Sequence, residues 1–118
     1  MTLNKVQALQ EAQRTLAQVV RTVRRGTYPP QYLSACSLLG LCFMERRLPK
    51  LAIQWYSRAL ECRNLDPAAA MALEYDLGVA FRAAGDLEAA REKFLQVYGQ
   101  NVDYRDVADK IRQLAGKS

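Results

Sequence analysis

Apolar residues recur at steps of three and four along nearly the whole chain, as they do on one face of an α-helix. The first such run predicts an amphipathic helix over about 4–25, with apolar positions at Leu9, Ala12, Leu16, Val19 and Val23. Gly26 and the pair Pro29-Pro30 then end this helix and allow the next to begin. Because no stretch alternates apolar and polar residues with the period of a strand, the sequence predicts an all-α fold.

Proline and capping residues divide the remaining sequence into five further helices. Proline is tolerated in the first turn of a helix, and an aspartate before that turn can cap it. These signals predict a second helix ending near Glu45, a third beginning at Pro49 and ending near Arg63, and a fourth beginning after Asp66 and reaching Ala84. Asp86 is predicted to cap a fifth helix that ends near Tyr98, and Asp103 a sixth that stops at Gly116.

The second to fifth helices contain an internal repeat. Five residues recur 38 positions later with the same or a similar type, namely Leu39, Gly40, Phe43, Ala52 and Tyr56 as Leu77, Gly78, Phe81, Ala90 and Phe94. A glycine inside a helix costs about 1 kcal/mol relative to alanine, so its recurrence needs a compensating contact. We expect close approach of the paired helix at each glycine, with Ala52 and Ala90 as the complementary small surface and the aromatic side chains filling the space around it.

This pattern resembles the tetratricopeptide repeat, whose unit of about 34 residues is a pair of helices. The resemblance covers about 33–116, although Cys36 and Asn64 stand where the family often has tryptophan and proline, and Val97 replaces a small residue. It implies an α-α superhelix of helical hairpins that forms a single domain over 1–118. Its expected parts are an N-terminal capping helix and turn (1–31), repeat one (32–66), repeat two (67–102) and a C-terminal capping helix (103–118). The alternative for the first helix is a degenerate half-repeat.

The resemblance also implies a function, which is to hold a peptide or helix of another protein in a concave groove. The groove residues carried over from the family are Ser34, Ser37, Leu41, Met44 and Glu45 in the first repeat and Tyr75, Asp76, Val79 and Arg82 in the second. Some members grip a terminal carboxylate with basic and amide residues at places that Ser37, Leu41 and Val79 occupy here, so we expect no such clamp. An alternative for Leu41, Met44 and Val79 is packing beneath a neighbouring helix.

The composition of the chain argues against catalysis, metal binding and nucleotide binding. The chain has no histidine, its three cysteines lack the spacing of a metal site, and no glycine-rich phosphate loop occurs. We therefore expect no catalytic residues, no metal, no cofactor and no small-molecule substrate, and we expect the cysteines to be reduced and mostly buried. No apolar run approaches the roughly 18 residues of a membrane span, and the N-terminal residues lack a secretory pattern, so a cytoplasmic location is expected.

Two features leave alternatives to peptide binding. The net charge of +5 is concentrated near the N-terminus, where Arg21, Arg24 and Arg25 either complement the end of a helix or contact nucleic acid. Because no aromatic residues interleave with these arginines, nucleic-acid binding is the less favoured interpretation. Trp55 either packs against the first helix or anchors self-association as a homodimer.

Overall fold

The computed structural model describes residues 30–62 and 65–116, together with Gln7, Gln10, Gln13 and Arg14. The described part of the chain contains five helices and no strand, which confirms the all-α prediction. They are α1 (Pro30–Glu45), α2 (Pro49–Leu60), α3 (Pro67–Ala83), α4 (Leu87–Gln100) and α5 (Val107–Ala115). Six helices were predicted, and the first of them, over about 4–25, lies almost wholly outside the described residues. The chain divides into two compact units, Met1–Leu65 and Asp66–Ser118, which are considered separately.

The predicted proline and aspartate signals begin α2, α3 and α4 where expected. Prolines stand in the first turns of α2 and α3. The Asp66 carboxylate accepts a hydrogen bond from the Ala68 N–H at 3.4 Å, and the Asp86 carboxylate accepts one from the Ala89 N–H at 3.1 Å. Each bond satisfies an N–H that the helix itself leaves without a partner.

In the first unit, α1 and α2 form an antiparallel hairpin around small and aromatic side chains. Ala52 and Ala59 of α2 have no exposed surface, and Tyr56 between them is 3% exposed. Leu39 of α1 is also buried, and with Cys42 it forms a cluster against which Leu38, Phe43 and Trp55 pack.

The second unit repeats this hairpin with α3 and α4. Ala90, Phe94 and Val97 of α4 are fully buried, at positions 38 residues after Ala52, Tyr56 and Ala59. Here a third helix, α5, adds Val107 and Leu114 to the core that contains Phe94 and Tyr75. The small and aromatic pattern therefore builds the same helix pair twice.

The mid-helix glycines lie in equivalent surroundings. A Cβ atom built on Gly78 would lie 2.7 to 2.9 Å from ring atoms of Phe94, and one built on Gly40 would meet the ring of Tyr56 in the same way. The expected close approach of the paired helix is thus present. The nearest atoms at each glycine belong to the aromatic ring of the opposite helix.

The turns within the two hairpins also have one geometry. In the first turn, the N–H of Arg47 donates to the carbonyl of Met44 at 3.0 Å, and that of Leu48 donates to Phe43 at 2.8 Å. In the second turn, Gly85 and Asp86 make the corresponding bonds at 3.0 and 2.9 Å. Arg47 and Gly85 both have positive φ angles, of 62° and 88°. Only glycine adopts this conformation without strain, so Arg47 costs roughly 1 kcal/mol at its position.

The beginning of α5 differs from the prediction. Asp103 was expected to cap this helix, but the helix begins at Val107 and Asp106 occupies the capping position. The Asp103 N–H instead donates to the side-chain oxygen of Asn101 at 3.0 Å, closing a local turn. The Asp106 carboxylate makes no capping bond to the helix; it accepts a hydrogen bond from the hydroxyl of Tyr75 and lies 3.6 Å from the ammonium group of Lys110.

We predict that Gly78→Ala destabilises the protein by about 1–3 kcal/mol, because the added methyl group must displace the buried Phe94 ring. Gly99→Ala is a matched control in α4, since a Cβ there has nothing within 4 Å. This control should be neutral or stabilising by about 0.5 kcal/mol through helix propensity. Urea denaturation of both variants measures the difference, and equal effects on the free energy of unfolding would contradict the close contact.

Candidate functional site

The first half of the predicted groove lies along α1. Its members Ser34, Ser37, Leu41 and Met44 are spaced by three, four and three residues, so they share one face of the helix. Leu41 is 51% exposed, Ser34 and the neighbouring Glu45 are exposed, and Ser37 and Met44 are half-buried. This face presents an apolar centre with small polar groups beside it.

The equivalent face of α3 is largely covered by α5 and by the turn before it. Tyr75, Asp76, Val79 and Arg82 were predicted to line the second half of the groove. All four lie against α5, the turn before it or the core that α5 completes, and none of them is fully exposed.

Tyr75 is the most deeply placed of these residues, with 8% of its surface exposed. Its ring packs edge-to-face on Phe94 and Tyr104, with centroid distances of 5.6 and 5.8 Å. Burial and the hydrogen bond that its hydroxyl donates to Asp106 raise the pKa of Tyr75 to about 12. The same hydrogen bond holds the pKa of Asp106 below its ordinary value. Tyr75 therefore offers little surface to a partner and instead secures the start of α5.

Arg105 lies over this aromatic pair. Its guanidinium carbon is 5.0 Å from the ring centroid of Tyr75 and 5.1 Å from that of Tyr104, within the range of a cation–π interaction. The same guanidinium lies 4.0 Å from the Asp76 carboxylate. Burial raises the pKa of Asp76, and Arg105 opposes that rise. Sequence reasoning did not single out Arg105, because its contact with Tyr75 joins residues far apart in the chain.

Arg82 is bound at the other end of α5. Its Nη1 donates a hydrogen bond of 2.6 Å to the side-chain oxygen of Gln113. With the Tyr75–Asp106 bond, this fixes α5 at both ends through residues predicted to contact a partner. Between them, Val79 packs against the core that contains Val107 and Leu114.

Trp55 is half-buried on α2. It packs against the Leu39 and Cys42 cluster, and the guanidinium of Arg58 lies 4.5 Å from its ring centroid. Any contact with the predicted first helix lies outside the described residues.

The thiols are placed as inert groups. Cys36, Cys42 and Cys62 are all free; the first two are buried and the third is partly exposed. Burial raises the pKa of Cys36 to about 11 and also raises those of Cys42 and Cys62, so all three are protonated and weakly nucleophilic near neutral pH. Within the described ranges, no three histidine, cysteine, aspartate or glutamate side chains could together hold a metal ion.

An apolar cleft lies between α4 and α5. It has a volume of about 340 Å³ and is lined by Leu95, Tyr98, Ala108, Ile111 and Arg112. Leu95 and Tyr98 are 48% and 40% exposed, and Val102 just beyond α4 is 53% exposed. Leu95 therefore lies at the centre of an exposed apolar surface of the second unit.

We predict that Tyr75→Phe lowers the free energy of unfolding at pH 7 by about 1 kcal/mol. A hydrogen bond to a fully buried carboxylate would be worth more, but the Asp106 side chain is half-exposed and water screens its charge. Because the folded-state pKa of Asp106 is lowered from 3.8, the stabilisation is present above that value and is lost as the pH falls through the lowered pKa. The difference between wild type and variant should therefore vanish in strong acid. Denaturation at a series of pH values measures it.

Tyr104→Phe is the matched control for this prediction. The Tyr104 ring packs against Tyr75, but its hydroxyl has no hydrogen-bond partner within the described part of the chain. Removal of the Tyr104 hydroxyl should change the free energy of unfolding by the same small amount at every pH. A loss in Tyr75→Phe that does not depend on pH would contradict the role of Asp106.

Comparison with protein-family models gives a match to the tetratricopeptide repeat over residues 7–69, more than half of the chain. The matched range includes the segment predicted as an N-terminal cap, and it ends near the start of α3. No curated protein and no solved structure gives a significant match. The family match and the repeated hairpin together show that the chain belongs to the tetratricopeptide repeat family.

Proposed function

We propose that this protein is a non-catalytic adaptor that binds a peptide or a helix of another protein. Proteins of the tetratricopeptide repeat family generally mediate protein–protein interaction. The observation that carries the proposal is the exposed face of α1, where Leu41 is 51% exposed between polar residues. The proposed site consists of Ser34, Ser37, Leu41, Met44 and Glu45, all on α1 of the first unit.

Physical chemistry supports α1 as the dominant part of this site. Binding interfaces place an apolar anchor at the centre and polar groups at the rim. Leu41 and the half-buried Met44 supply the anchor, and Ser34 and Ser37 supply hydroxyl groups that bond to a backbone or to a polar side chain. On α3, the hydroxyl of Tyr75 and the guanidinium of Arg82 already have partners in the chain.

The cellular setting is also a proposal. None of the helices that the structure describes is long and apolar enough to cross a bilayer. The reduced, buried cysteines support a cytoplasmic location.

We expect Leu41→Asp to weaken partner binding at least tenfold and to change the free energy of unfolding by less than about 0.5 kcal/mol, because this side chain is exposed. Peptides selected from a displayed library on the wild-type protein supply the ligands, and calorimetric titration measures the affinities. Leu95→Asp is the matched control, since it places the same charge at a similarly exposed leucine of α4. Selected peptides that bind Leu41→Asp as tightly as wild type would refute this site.

Self-association is a second candidate function. The apolar cleft between α4 and α5 favours it, because Leu95, Tyr98 and Val102 together expose an apolar surface of the kind found in subunit contacts. A symmetric pair would place the same surface of each copy against the other.

Sedimentation equilibrium tests this second candidate. If the cleft mediates pairing, wild type should form dimers at high protein concentration and Leu95→Asp should remain monomeric. Leu41→Asp should dimerise like wild type, because Leu41 is not among the residues that line the cleft. A wild-type protein that remains monomeric throughout the concentration range would rule out self-association.

A further inference from the structure

The turn between α1 and α2 presents a basic and apolar surface that the peptide-binding proposal does not use. This tip surface consists of the residues Arg46, Arg47, Leu48, Lys50 and Leu51. All five are exposed, with Leu48 at 43% and Leu51 at 37%. No carboxylate of the described residues pairs with any of its three cations.

The corresponding turn of the second hairpin has the same backbone geometry, and its residues stabilise that geometry. Its Gly85 takes a positive φ without strain, and its Asp86 caps the following helix through the Ala89 N–H. The first turn makes the same backbone bonds but places Arg47 at the positive φ and Leu48 at the cap, where it makes no side-chain bond. Arg47 and Leu48 are therefore both less favourable for stability than Gly85 and Asp86, and both are exposed. Such departures from local preference are found where a residue serves a function.

The two turns also differ in charge. Lys50 stands 38 positions before Glu88, so the first turn carries three cations where the second carries Asp86 and Glu88. Leu48 and Leu51 are three residues apart at the start of α2 and therefore lie on one side of it. The tip surface thus combines two exposed leucines with a surrounding cluster of positive charge.

We propose that this tip surface binds an anionic membrane surface, with the leucines entering the boundary between headgroups and acyl chains and the cations contacting the headgroups. The turn lies at the end of the α1–α2 hairpin, so its leucines and cations share one short exposed segment that can contact anionic lipid. Basic residues near anionic lipid and apolar side chains in the interface are the two contributions that such binding requires. Nucleic acid is less well matched because the tip surface has no aromatic residue on which bases stack.

Cosedimentation of the full chain with vesicles tests the proposal. Vesicles of phosphatidylcholine containing about 30% phosphatidylglycerol should bind the protein, and vesicles of phosphatidylcholine alone should not. Binding should weaken in roughly 0.5 M salt, where surface charges are screened. Replacing Arg46, Arg47 and Lys50 together by glutamine should lower the partition coefficient about 100-fold. Leu48→Ser with Leu51→Ser should lower it roughly tenfold at unchanged charge.

The decisive variant copies the second turn into the first, as Arg47→Gly with Leu48→Asp. It should raise the melting temperature, because it relieves the positive φ and adds a cap, and it should lower vesicle binding at least tenfold. Glu88→Gln is the control in the second turn and should leave binding unchanged. Equal binding of this stabilised variant and wild type would overturn the proposal.

Two other results would also overturn it. One is the absence of sedimentation with the anionic vesicles at low salt. The other is that the Leu48→Ser, Leu51→Ser variant binds both vesicles and soluble heparin as tightly as wild type does. That result would show a general site for polyanions instead. Neither outcome bears on peptide binding through Leu41, which is measured separately and uses different residues.

Discussion

An aromatic ring packed over a mid-helix glycine determines the geometry of each hairpin. Without a Cβ, Gly40 and Gly78 let Tyr56 and Phe94 lie directly against the opposite helix. The rings are then enclosed, with 3% and 0% of their surfaces exposed. Because interiors are close-packed, a ring in this position fixes the spacing and the axial register of the two helices together.

The register set by this contact gives α1 and α3 equivalent faces with different chemistry. Ser37 and Leu41 in the first unit stand where Tyr75 and Val79 stand in the second. On α3, Tyr75 reaches Asp106 and Arg82 reaches Gln113, so the face is satisfied by polar bonds within the chain. Neither serine nor leucine can make such long contacts. The α1 face therefore keeps an exposed apolar centre, which is why the proposed partner site is assigned mainly to α1.

Features that depend on residues close together in the sequence could be predicted, and features that depend on distant residues could not. The α1 to α4 helices, the starts at Pro49, Asp66 and Asp86, and the buried positions of Ala52, Ala90 and Phe94 depend on nearby residues and on a period of 38, so they were predicted correctly. The role of Asp106 depends on Tyr75, which is 31 residues earlier in the chain. Local capping rules favoured Asp103 because they contain no information about that distant hydroxyl.

The same reasoning explains why Tyr75 was assigned to the groove and found mostly buried. Its position in the repeat is that of a groove residue, and tyrosine is frequent in binding sites. Its actual surroundings come from Tyr104 and Arg105, which have no counterparts in the repeat signature and which stack against it.

The two hairpin turns show how a repeat separates structural from functional requirements. Identical backbone bonds at 46–48 and 84–86 demonstrate that this geometry needs neither arginine nor leucine. Gly85 and Asp86 form it with less strain and with an added cap, so the first turn is less stable than the same chain shows to be attainable. Local stability does not explain Arg47 and Leu48, and both side chains are exposed, which favours a role in contact with another surface. Within the described part of the chain, the three cations of the first turn pair with no carboxylate and lie beside two exposed leucines, a combination that suits a surface that is both anionic and able to accept apolar groups.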